Sequence, residues 1–217
     1  MQNVKIISLF LSSLIFMFCV SCGVSSSSSA SSPTSAHSPS ADDPTQNYFK
    51  FVTDSLNYSS YGDAYKGTEI YYKIYTSVSV LINEHDNIAS STSGATAKSK
   101  FDSLNYKLLN GAQYIIPPSK FNQTVEIRLI DETSYVKGIK IDGSLFALPT
   151  RYTGGKSFQF SSTDFPKVSD LDFNGTETSV GPWYVAAYAV SVLVNLSDSP
   201  PTSYSLPKYL GYVKVYY

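Results

Sequence analysis

Cysteine is almost absent from this sequence. Only Cys19 and Cys22 occur among its 217 residues. Two neighbouring cysteines cannot cross-link distant parts of a domain, so a disulfide-rich scaffold is excluded. Charge is also scarce: 16 lysines and arginines stand against 17 aspartates and glutamates, and the basic residues form no cluster. This balance argues against nucleic acid as a partner, because phosphate recognition needs a basic surface.

The motifs of common enzymes are missing as well. The chain has no Gly-x-Ser-x-Gly, no glycine-rich phosphate loop and no His-Glu-x-x-His. Its two histidines are His37 and His85, and His85 lies in a polar stretch at 83–87 that we interpret as a solvated turn. We therefore predict neither catalytic residues nor a cofactor, and we do not expect an enzyme.

No apolar run is long enough to be a typical membrane-spanning helix. The longest one, at 6–20, follows Lys5 and contains about 15 residues, whereas a span needs about 20. A short basic start, an apolar centre and small residues before a cleavage point are typical of a secretory signal. We predict a signal peptide at 1–21, with a membrane-spanning helix as the alternative.

The end of this run resembles a bacterial lipobox. Val20 and Ser21 precede Cys22, and Gly23 follows it, while Cys19 stands where leucine is usual, a substitution accepted in the looser lipoboxes of spirochaetes. The resemblance implies that Cys22 is acylated and becomes the mature N-terminus, in the outer membrane rather than the inner one. An ordinary signal peptide cut near Ser21 is the alternative.

A serine-rich segment follows the cysteines. From 23 to 46 the chain consists mostly of Ser with Ala, Pro, Thr and Asp. Such a segment buries too little apolar surface to offset the entropy of ordering its backbone. We therefore expect residues 22–46 to be a lipidated cysteine with a flexible tether.

The remaining residues, 47–217, are enough for one domain, which we expect to be monomeric. Residues 124–130 alternate with Val125, Ile127 and Leu129 inward, and 183–196 is apolar on both faces, which predicts the centre of a sheet. The longest alternation, at 69–82, predicts a strand, or a long bent one, that is half buried on the core. Its inward face would comprise Ile70, Tyr72, Ile74, Val78, Val80 and Ile82.

Two further signals complete the predicted architecture. Asp142 and Gly143 between apolar runs predict a hairpin. At 93–111, Ala97, Phe101, Leu104 and Leu108 recur at helical spacing, and we predict one short helix ended by Asn110-Gly111. Many strands with a single helix favour an all-β sandwich.

Three segments resemble strands of a known family. Residues 67–75, 184–190 and 203–215 are similar to the C, F and G strands of fibronectin type III and immunoglobulin-like domains, with a Ser-x-Pro turn at 205–207. The resemblance implies an immunoglobulin/fibronectin III-like β-sandwich with one short inserted helix. Insertions around 83–120 and 149–180 would account for the extra length.

One stretch has the spacing of metal ligands. Asp170, Asp172 and Asn174 stand at positions one, three and five of a calcium loop, and Gly175 stands at six. Position twelve is Gly181 rather than glutamate, and only Glu177 offers a nearby carboxylate. An ordinary Asp/Asn-Gly turn is the alternative reading.

Two classes of function follow from these features. The first is a lipid-anchored envelope protein whose domain presents an interaction or structural surface to a protein or glycan. The second is a carbohydrate-binding or glycoside-hydrolysing module that uses surface tyrosines, with Tyr71 and Tyr75 as candidates, and carboxylates such as Asp131, Glu132, Asp164 or Asp170.

Overall fold

Two mostly antiparallel β-sheets pack against each other, and helices cover the outer face of the larger sheet. The structure is a computed structural model that describes residues 29–35, 37–132, 134–176 and 181–216. The smaller sheet has the order β1-β2-β5-β6-β7. Its strands are β1 (Thr34–Ser35), β2 (Phe49–Val52), β5 (Thr124–Arg128), β6 (Gly138–Ile141) and β7 (Ser144–Ala147).

The larger sheet is built on two long strands that pair along almost their whole length. These are β3 (Tyr65–Tyr75) and β11 (Trp183–Val194), and β11 also pairs with β12 and β13. The other strands are β4 (Lys107–Leu108), β10 (Phe173–Asn174), β12 (Thr202–Tyr204) and β13 (Lys208–Val215). A separate hairpin joins β8 (Thr150–Thr153) to β9 (Lys156–Gln159).

Three α-helices are present in the described part of the chain. They are α1 (Leu56–Tyr61), α2 (Val78–Ala89) and α3 (Gly94–Ser103). Short 3-10 turns lie at Gly62–Ala64, Leu109–Gly111 and Pro118–Lys120. None of the helices described is long and apolar enough to cross a bilayer.

The main core fills the space between the two sheets. Phe49, Val125 and Ile139 from the smaller sheet pack with Ile74 and Val185 from the larger one. A second core lies beneath the helices, where Leu81 of α2 and Phe101 of α3 cover the opposite face of β3 and β11. The larger sheet is therefore buried on both faces, which is why β3 and β11 have few exposed side chains.

Several sequence predictions are confirmed. Val125, Ile127 and Leu129 are buried. The turn at Asp142-Gly143 joins β6 to β7, and both residues have positive φ, as a two-residue hairpin turn requires. The strand at 183–194 lies at the centre of its sheet. The architecture is β-rich, as predicted, although the helices are more extensive than one short insertion.

The prediction of one long strand at 69–82 is wrong beyond Tyr75. The chain turns at Ser77 and continues as α2, so Val80 and Ile82 are 36% and 46% exposed. The helix buries Leu81 and Ile88 instead, seven residues apart on one face. Apolar residues continue to alternate at Val78, Val80 and Ile82, which is typical of a strand, although these three residues belong to α2.

The tether predicted at 22–46 also differs from the structure, because residues from 29 onward contact the domain. Asn57 exchanges two hydrogen bonds of 2.8 Å with the backbone of Ser31. The strand β1 pairs with β2, and Arg128 donates to the carbonyls of Pro44 and Thr45. Hydrogen bonds to the backbone of this segment help to fix it, so its polar composition concealed its order.

Candidate functional site

An open groove of about 740 Å³ lies between α2, β13 and the segment 37–39. Ile82 and His85 contribute the helical wall, while Tyr209 and Tyr212 contribute the strand wall. Pro39 forms part of the rim. Among the described residues, Lys208 is the one lysine or arginine that lines it. The groove therefore presents aromatic rings together with polar surface and few charges.

Gly211 lets the rim approach β13 closely. Its φ is +89°, and a Cβ atom there would lie 2.6 Å from Cδ of Pro39. Any larger residue would both strain the backbone and displace the rim. The segment 37–39 is fixed further because the ring of His37 stacks on Tyr48, with centroids 4.1 Å apart.

His85 connects the groove to the interior. Its Nδ1 is 2.8 Å from the hydroxyl of Tyr188, and its ring stacks on Tyr209 at a centroid distance of 3.9 Å. Burial lowers the pKa of His85 below its usual 6.5, although Asp86 opposes the shift. The imidazole is therefore neutral near pH 7 and carries one donor and one acceptor nitrogen.

Three buried tyrosines extend this contact beneath the helices. Tyr188 is hydrogen-bonded to Tyr106, and the hydroxyl oxygens of Tyr75 and Tyr106 lie 2.8 Å apart. Burial is the main cause that raises the pKa of all three hydroxyls above the usual 10. The hydroxyls therefore keep their protons, so this network can orient a ligand-facing histidine but supplies no phenolate base.

The tyrosine network ends at a largely buried ion pair. Lys73 donates to both carboxylate oxygens of Glu84 at 2.9 Å and to the carbonyl of Leu104 at 2.6 Å. Glu84 also accepts from Tyr75 and from Asn174. These bonds satisfy the buried carboxylate, as a charge in this environment requires.

The fold directs two of the candidate calcium ligands to one guanidinium and the third to a different partner. Asp172 is fully buried and accepts two bonds from Arg151, at 3.1 and 2.9 Å, and one from Tyr72 at 2.7 Å. Asp170 accepts from the same guanidinium at 2.7 Å, whereas Asn174 points to Glu84. Arg151 therefore holds the two carboxylates where the calcium reading required a cation.

No group of three or more His, Cys, Asp or Glu side chains within the described ranges is placed to hold a metal ion. Glu177 lies outside those ranges. Burial lowers the pKa of Arg151, but its hydrogen bonds and attraction to Asp172 outweigh burial and leave the pKa raised. The ion-pair cluster around Arg151 is thus a structural feature of the interior.

The expected surface platform of tyrosines is also wrong in its placement. Tyr71 is buried beneath α3, where it stacks on Phe101 and donates to Glu69. Tyr75 is completely buried. Helices cover this face of β3, and the sequence prediction had left it open to solvent. Neither ring is available for stacking on a sugar, so groove residues Tyr209 and Tyr212 replace them as candidates.

The remaining candidates are dispersed or lie elsewhere. Among the carboxylates, Glu132 pairs with Arg128, Asp170 pairs with Arg151, and Asp164 accepts from the backbone of Gln159. Cys22, the predicted lipidation site, lies outside the described residues.

Sequence reasoning missed the groove because it placed His85 in a turn. The signal was present: Val78, Leu81, Ile82, His85 and Ile88 follow helical spacing. Helical spacing could not show that β13 forms the other wall of the groove, because that depends on how α2 packs beside β13 in the folded domain.

Comparisons with protein-family models, with curated proteins and with solved structures gave no significant match.

Proposed function

We propose that this chain is a lipid-anchored protein of a bacterial cell envelope, attached through Cys22, whose domain binds a partner at the groove beside His85. The observation that carries the anchor is the apolar run at 6–20, which is followed by Ser21 and then by Cys22-Gly23. Several acyl chains would make the attachment stable, because each buried methylene contributes about 0.8 kcal/mol. The outer membrane is the proposed location.

Fatty-acid labelling tests the anchor. Cells that express the full chain are grown with a clickable fatty acid, and the Cys22→Ala variant should lose the label. The matched control is Cys19→Ala, which should keep it because Cys19 is removed with the signal. Label retained on the Cys22→Ala variant would overturn the proposed attachment. Protease treatment of intact cells then determines which side of the membrane carries the domain.

The order of three strands supports an immunoglobulin/fibronectin III-like relationship for the sheets. β3, β11 and β13 are neighbours in the larger sheet, with β11 in the middle. That is the neighbour order C, F, G which the resemblance implies. The helical layer over this sheet would then be an elaboration, supplied by the segment after β3.

The interaction role rests on the groove, which is open, aromatic and lined by few charges. A protein segment or a glycan with an apolar face suits this chemistry. Tyr209 and Tyr212 specifically favour the second candidate, a carbohydrate-binding module, because sugar rings stack on exposed aromatic faces. A glycan array probed with the native chain and with Tyr212→Ala tests this candidate. Tyr216→Ala, outside the groove, is the control, and equal binding by both variants would reject the glycan.

A further inference from the structure

The described chain begins at one particular end of the domain. Ala30 packs with Tyr65 and Leu193, and the hydroxyl of Ser32 donates to the carbonyl of Leu206 at 2.6 Å. This is the end at which β3 starts and β11 finishes, since Leu193 pairs with Tyr65. The end of β2 and the start of β5 lie on the same side, because Asn57, just after β2, holds Ser31.

Large apolar side chains are exposed around this point of entry. Leu196 is 89% exposed in the loop after β11, and Leu56 is 61% exposed in α1. Tyr58 stacks on Phe121 with ring centroids 5.2 Å apart, and both rings remain accessible. We call the following set the entry patch: Leu56, Tyr58, Phe121, Leu196 and Leu206.

The covalent chain limits how far this end can lie from an anchor at Cys22. Only residues 23–28 separate Cys22 from Ser29. Whatever their conformation, these links span at most about 25 Å at 3.3–3.6 Å per residue. A domain of this size has a radius of gyration of about 16 Å, so its diameter exceeds that reach. The entry patch therefore stays near the anchor, while the opposite end of the domain can lie beyond that reach.

We infer that the entry patch is a membrane-contacting surface, which inserts its apolar side chains into the interfacial region of the bilayer that holds the lipid anchor. The inference rests on the proposed anchorage through Cys22. It adds an orientation: the end with α1 faces the lipid, and the opposite end faces away.

The charges at this end identify the lipid chemistry. The acidic side chains outnumber the basic ones, so attraction to anionic head groups does not drive the contact. They are Asp54, Asp63, Asp142 and Asp198, against Lys66 and Lys120. A neutral, zwitterionic surface suits the patch, and the contact should persist at high salt because apolar burial drives it.

Tryptophan quenching on anchored protein tests the orientation. The chain from Cys22 onward, which keeps every described residue, is coupled through the Cys22 thiol to a maleimide lipid in phosphatidylcholine vesicles. Leu196→Trp places an indole in the entry patch, and lipids with brominated acyl chains quench an indole that reaches them. The matched control is Val136→Trp, because Val136 is 64% exposed in the loop between β5 and β6 at the opposite end. The native Trp183 is buried and provides a constant background.

We expect several-fold stronger quenching for Leu196→Trp than for Val136→Trp, unchanged between low and high salt. Adding Leu56→Asp and Leu206→Asp to the Leu196→Trp chain should reduce the quenching, and both sites are exposed enough to accept these changes. Equal quenching at the two ends, or stronger quenching of the control, would overturn the inference. A concentration-dependent dimer in solution that Leu196→Ser abolishes would assign the patch to a second copy of the chain, and would overturn it too.

Chemical coupling keeps the two proposals separate. If cells do not acylate Cys22, the labelling experiment fails while the vesicle experiment still reports which end of the domain contacts lipid. If labelling succeeds and quenching is equal at both ends, the anchor stands and only the orientation is wrong.

Discussion

Removing the carboxylate of Asp172 should destabilise the domain strongly. This side chain is fully buried and accepts three hydrogen bonds, two from Arg151 and one from Tyr72. Asp172→Ala removes a fully buried carboxylate from the guanidinium and leaves it paired with Asp170, which is partly exposed. Breaking a buried pair in this way costs about 3–5 kcal/mol. Chemical denaturation of the native chain and the variant measures the difference in the free energy of unfolding.

Two further variants separate this cause from general damage. Asp102→Ala removes an exposed carboxylate paired with Lys98 and should cost only about 0.3–0.5 kcal/mol. The double change Arg151→Met with Asp172→Leu removes both fully buried charges and should recover part of the loss, because only the partly exposed Asp170 then lacks its cation. A cost below about 1 kcal/mol for Asp172→Ala would refute the view that this ion pair is desolvated.

Three other outcomes follow from the structure. Ile74→Ala should cost about 2–5 kcal/mol in denaturation, because it empties a site between the two sheets; a cost near zero would contradict that packing. Millimolar calcium should leave the thermal midpoint unchanged, since Arg151 occupies the carboxylates of Asp170 and Asp172; a rise reversed by chelator would show a bound ion. The lowered pKa of His85 means that the unfolded chain binds this proton first, so its contribution to stability is intact above pH 6.5 and declines as the pH falls below that value. His85→Gln should weaken this acid dependence in unfolding curves measured between pH 7 and 5, and an unchanged dependence would refute the assignment.

Local signals predicted the parts of the fold that depend on one strand and its immediate neighbours. Asp142-Gly143 identified a hairpin because its positive φ angles suit few other residues. The alternation at Val125, Ile127 and Leu129 identified an inward face correctly. In each case the residues that determine the structure lie within a few positions of one another, so the local sequence is enough to predict it.

The sequence analysis did not predict the second core. Alternation of apolar and polar residues cannot distinguish a strand with one buried face from a strand whose two faces are both covered. Tyr71 and Lys73 were polar enough to be assigned to solvent, yet both lie beneath the helices. Tyr71 stacks there on Phe101, and Lys73 donates to Glu84 and to the carbonyl of Leu104. A tyrosine or lysine can be buried when its polar end is satisfied. Those partners, Glu84 and the carbonyl of Leu104, are known only once the helices are placed.

Contacts between distant residues also explain why the calcium site was suggested by the sequence although the fold fills it, and why the groove was not predicted although the fold forms it. Asp170 and Asp172 have the spacing of metal ligands, but the chain supplies its own cation from β8, some twenty residues earlier, and this bidentate guanidinium occupies the lone pairs that an ion would need. His85 had no recognisable motif, yet α2 places it against Tyr188 and Tyr209, whose rings come from two strands of the larger sheet. Spacing along the chain therefore suggested a calcium site that the fold does not form, and gave no indication of the groove. What decides between them is access: Arg151 engages the carboxylates of Asp170 and Asp172 inside the domain, while His85, Tyr209 and Tyr212 line an open groove.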